Sequence, residues 1–87
     1  MTEAREEFDK LIAALKQQRD ELNLQIHLAK AETREEWAGL EAKWAEVQGK
    51  TEQLRSVSGE VAGEVGAAAR LLAEEIGRGY ERIRKLF

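Results

Sequence analysis

With 87 residues, of which 36% are charged, 43% apolar and 6% aromatic, the chain is one small domain whose core as a monomer is marginal. The absence of cysteine excludes disulfides and thiolate metal sites, and no run of about eighteen apolar residues exists that would cross a membrane. The net charge of −3 divides unevenly, with nine Lys/Arg against fourteen Asp/Glu in residues 1–69 and five against three in residues 70–87. That basic excess is too small for a nucleic-acid binder of this size, and it also complements the negative end of a helix dipole.

Residues 1–7 are acidic and lack the cationic and apolar blocks of a signal peptide, so a cytoplasmic location is expected. A long helix is predicted over about residues 2–55. Thr2 is its candidate N-cap, and Glu3, Glu6 and Glu7 suit the positive end of the dipole. Phe8, Ile12, Leu15, Leu22, Ile26, Ala29 and Thr33 begin an apolar seam. Trp37, Leu40, Trp44, Val47, Thr51 and Leu54 continue it with alternating steps of three and four, the heptad signature. The steps Ala29, Thr33, Trp37 are four and four, a stutter that locally unwinds a supercoil. From Leu22 to Leu28 apolar and polar residues alternate, as in a strand. Strong helix formers surround the segment and no second strand is available to it, so it reads as a helix apolar on two sides.

Ser56, Val57, Ser58 and Gly59 hold the densest turn chemistry, and a break is predicted at residues 56–59. A second helix is predicted over about 60–87, carrying the seam through Val61, Val65, Ala68, Leu72, Ile76, Tyr80 and Ile83 to Phe87. Gly59, Gly63 and Gly66 lie off the seam, where they mark either a hinge or a smooth face for close packing; Gly77 and Gly79 weaken the helix further on. The two helices form either a hairpin or, since no proline intervenes, a rod of roughly 120 Å.

Catalytic chemistry has little to stand on. His27 is the only histidine, and the glutamates fall mainly off the seam, where pairs such as Glu6 with Lys10 stabilise a helix. Gly49, Lys50 and Thr51 mimic the end of a phosphate-binding loop, but Trp44 stands where its first glycine belongs and no strand precedes it. Trp37 and Trp44, one heptad apart among glutamates, suit core packing better than base stacking. No catalytic, metal or cofactor residues are therefore expected. Tyr80, Ile83, Leu86 and Phe87 with Arg78, Arg82, Arg84 and Lys85 make a short basic amphipathic end, a candidate surface for an anionic membrane or a partner.

The ending Gly79, Tyr80, Glu81, Arg82, Ile83, Arg84, Lys85, Leu86, Phe87 resembles that of a group of small, largely uncharacterised bacterial coiled-coil proteins. These open with an acidic helix and run through Glu/Lys/Ala heptads. The resemblance implies a soluble helical interaction protein and carries over no site residues. The sequence as a whole predicts an all-α chain, a helical hairpin or rod that self-associates as a dimer or four-helix assembly through Phe8, Ile12, Leu15, Leu22, Ile26, Trp37, Leu40, Trp44, Val47, Leu54, Val61, Val65, Leu72, Ile76, Tyr80 and Ile83. The expected role is non-enzymatic and structural, without nucleic acid or cofactor, and with a protein partner of unknown identity.

Overall fold

The computed structural model describes residues 2–86, with side chains from residue 6. The Thr2 cap, Glu3 and Phe87 singled out above lie outside the described side chains. Among the described residues all regular structure is helical: α1 (Thr2–Gln25), a single 3-10 turn (Ile26–Leu28), α2 (Ala31–Leu54) and α3 (Gly59–Arg84). The chain folds back twice into a bundle of 44 × 20 × 16 Å. Glu7 meets Arg70, Leu15 meets Gly77 and Glu21 meets Arg84, so α1 and α3 run parallel. Lys43 meets Glu75 and Glu36 meets Arg82, so α2 runs antiparallel to α3.

The all-α fold and the break after Leu54 agree with the sequence pattern. Gly59 opens α3 with φ of 66°, a left-handed conformation that a Cβ would oppose. The long helix predicted over residues 2–55 is corrected: it ends at Gln25 and restarts at Ala31. Ala29 and Lys30 between them are extended, with φ/ψ of −83°/163° and −66°/159°. The reason is burial, because the fold-back lets Leu15, Leu22 and Ile26 reach the core formed by α2 and α3. The segment read as apolar on two sides sits at this bend. Leu22 and Ile26 turn inward, while Leu24 and Leu28 remain exposed.

The closest packing is between α2 and α3. A Cβ placed on Gly79 would lie 2.8 Å from Leu40 Cδ1, so glycine is what lets the two backbones approach. Ala69 and Ala73, both fully buried, continue that small-residue stripe toward the start of α3. Close packing thus falls on residues 69–79 rather than on residues 59–66. A Cβ on Gly63 would meet open space, and one on Gly66 would make only ordinary contact with Leu54 at 3.9 Å.

Candidate self-association interface

Eleven of the predicted seam residues are buried within the one chain: Phe8, Leu15, Leu22 and Ile26 from α1 and its turn, Trp37, Leu40, Trp44 and Val47 from α2, and Ile76, Tyr80 and Ile83 from α3. Ile12, Leu54, Val65 and Leu72 are half-buried. Val61 departs from expectation and is exposed, because α2 has ended by Leu54, which lies only opposite Gly66, leaving the first turn of α3 uncovered. The seam is therefore closed first by helices of the same chain. Ala69, Ala73 and Gly79 belong to it and escaped the sequence pattern, which placed Ala68, only half-buried, on the seam instead. The steps Ala69, Ala73, Ile76, Tyr80, Ile83 are four, three, four and three, which is the clue that was available.

A polar cluster crosses the gap between α1 and α2. These helices make no close backbone approach among the described residues, and Arg19 spans the distance. Its Nε and Nη2 donate to the two carboxylate oxygens of Glu41 at 2.6 and 2.7 Å, while its guanidinium lies 5.9 Å from the Trp44 ring centroid. A forked, charge-assisted pair backed by an aromatic face fixes orientation as well as distance. The hydrogen bonds to Glu41 hold the Arg19 pKa above its ordinary value. Beneath it, Tyr80 stacks on Trp37 with centroids 5.6 Å apart. Its hydroxyl is buried without a hydrogen-bond partner among the described residues. Burial, reinforced by the nearby Glu41 carboxylate, raises the Tyr80 phenol well above its usual value near 10.

Three of the exposed large apolar residues share one end of the bundle, while Val61 and Leu71 are exposed nearer the start of α3. Leu24, Leu28 and Leu86 are 75%, 79% and 63% exposed, and all three lie at the end of the bundle where α1 gives way to α2 and α3 finishes. Leu28 and Leu86 flank one depression beside Lys30. Leu24 flanks another beside Arg84, one turn away. Exposed leucines grouped at one end mark a contact surface more often than leucines exposed singly. Of the basic residues picked out from the sequence, Arg78, Arg82, Arg84 and Lys85 are all exposed. Arg82 Nε donates to Glu36 at 3.0 Å, and Arg84 stands 3.9 Å from Glu21. Arg84 and Lys85 edge the leucine end, whereas Arg78 sits further back along α3 in the groove with α1. His27 is exposed in the 3-10 turn at this same end. Among the described residues, no three His, Cys, Asp or Glu side chains converge as a metal site would need, and no helix is long and apolar enough to cross a membrane.

Comparison with protein-family models, with curated proteins and with solved structures finds no match to this chain.

Proposed function

We propose that the chain is a non-enzymatic structural module that self-associates and presents a helical surface to a partner. The observation that carries this is the group of Leu24, Leu28 and Leu86, all strongly exposed at one end of the bundle. Three leucines exposed to this degree in a chain with a marginal core are a standing cost in water, and pairing two such ends removes it. The polar cluster around Arg19 fits the same role. Its donors and acceptors are spent on one another, which suits fixing helix register rather than turning over a substrate. The paired bundles then offer the outer faces of α1 and α3 to further partners.

Sedimentation equilibrium of the chain and of a Leu24→Glu, Leu28→Glu double variant tests this. Both positions are exposed, so helicity and melting of the dilute protein should stay unchanged while association is lost. A chain that remains a monomer at every accessible concentration, or a double variant that associates as well as the parent, refutes the proposal.

The cations Lys30, Arg84 and Lys85 around the leucines favour a second reading, adsorption of this end to an anionic membrane surface. Salt separates the two. Screening weakens binding to anionic vesicles, whereas it strengthens pairing of two like-charged ends. If vesicle pelleting is unchanged after Arg82, Arg84 and Lys85 are all made Glu, the membrane reading fails.

A further inference from the structure

Between α1 and α2 the chain turns at a place its sequence does not mark as a turn. Residues 26–30 are Ile, His, Leu, Ala and Lys, with no glycine, no proline and no positive φ. The following helix starts at Ala31, and Lys30 before it provides no side-chain cap. Across this bend the seam keeps its helical phase: Leu22, Ile26, Ala29, Thr33 and Trp37 are steps of four, three, four and four. A loop places no such demand on residue spacing, whereas a continuous helix does.

From this we infer that the bend is a hinge, and that two copies exchange α1 by straightening it. In the exchanged dimer residues 2–54 form one helix. The α1 of each copy then lies on α2 and α3 of the other, making between copies the contacts it now makes within one. The pairing is self-consistent. Arg19 facing Glu41 sets an antiparallel register between α1 and α2 centred on residue 30, so two straightened helices crossing there reproduce both Arg19–Glu41 bridges about a two-fold axis. The same axis brings together the two hinge ends, where α3 of each copy also finishes. Helix α1 is the element free to leave, because it is joined to the α2–α3 pair by parallel packing on α3 and by the Arg19 bridge, without close backbone approach to α2.

This rests on the self-association proposed above, and two variants distinguish its failure from that of the broader reading. Lys30 has φ of −66° and follows an extended Ala29, and its amide donates no backbone hydrogen bond among the described residues. Proline therefore fits the bent chain at this position, yet it breaks a straight helix there by roughly a hundredfold per chain. Lys30→Pro should give a folded monomer with unchanged helicity. In the second test an Arg19→Glu chain is mixed with a Glu41→Arg chain. Each alone places like charges opposite one another, within one chain or between two identical copies. Only exchange between the two different chains restores an opposite-charge pair at both sites, so the mixture should associate at least tenfold more tightly than either chain alone. Rescue on mixing together with a monomeric Lys30→Pro supports the exchange. A parent that dimerises while Lys30→Pro dimerises equally, with no rescue on mixing, overturns the exchange and leaves end-to-end pairing standing. A parent that stays monomeric overturns both.

Discussion

Two glycines two residues apart on α3 should respond to the same substitution with opposite signs. In an exposed helix interior, glycine to alanine stabilises by about 1 kcal/mol through backbone entropy alone. At Gly77 the new Cβ would meet Leu15 Cδ2 at 3.5 Å, an ordinary contact, so Gly77→Ala should keep that gain and raise the melting temperature by about 4–8 °C. At Gly79 the Cβ would fall within the side chain of Leu40, which is 4% exposed and has little room to move aside. Overpacking of a closed core costs about 1–3 kcal/mol, which offsets or exceeds the propensity gain. Gly79→Ala should therefore be neutral to destabilising by about 2 kcal/mol, and a compensating Leu40→Ala should relieve the clash while opening a cavity elsewhere. Thermal and urea unfolding of the two single variants at one dilute concentration measures both signs. If Gly79→Ala stabilises as much as Gly77→Ala, the close approach of α2 to α3 is refuted.

Tyr80→Phe should stabilise the fold by about 1 kcal/mol, since it removes a buried hydroxyl with no partner and keeps the stack on Trp37. The same residue predicts an alkaline limit. The folded-state pKa is raised, so the neutral phenol's contribution is intact below the unfolded value near 10 and is lost as pH rises above it toward the folded value, with a slope of up to about 1.4 kcal/mol per pH unit. Tyr80 is the only tyrosine, so phenolate absorbance should appear together with unfolding, and Tyr80→Phe should flatten the alkaline limb. Arg19→Ala should destabilise by about 1–2 kcal/mol by losing both the fork to Glu41 and the cover over Trp44, and Arg19→Lys should recover only part of it. Hydrogen exchange should show that loss first as faster opening of α1; protection unchanged in α1 would contradict the bridging role.

Helical content was legible because no proline and few turn residues interrupt a regular apolar period, and the break at residues 56–59 because serine and glycine announce it. The bend at residues 26–30 was not. Its residues favour helix locally, and the chain turns there because Leu15, Leu22 and Ile26 gain a tertiary core by folding back. Local propensity carries no record of that competition. Gly79 was misjudged for a related reason. A glycine in a helix looks like a weakness until the opposing Leu40 is known, and only the packed structure names the neighbour. The seam itself was legible nearly residue by residue. Which chain's helices would cover it was not, since a heptad pattern specifies a complementary surface and not the molecule that supplies it.

The central claim, that one polypeptide closes its own seam before it pairs, is tested most directly by the two indoles. Trp37 and Trp44 are 7% and 5% exposed. Acrylamide quenching of their fluorescence should be followed down a dilution series while sedimentation equilibrium reports mass. Shielded, blue-shifted emission that persists once the mass has fallen to a single chain is the predicted result. Emission that reddens and quenches in step with dissociation would mean that a lone chain leaves its stripe wet, and the fold-back would be wrong.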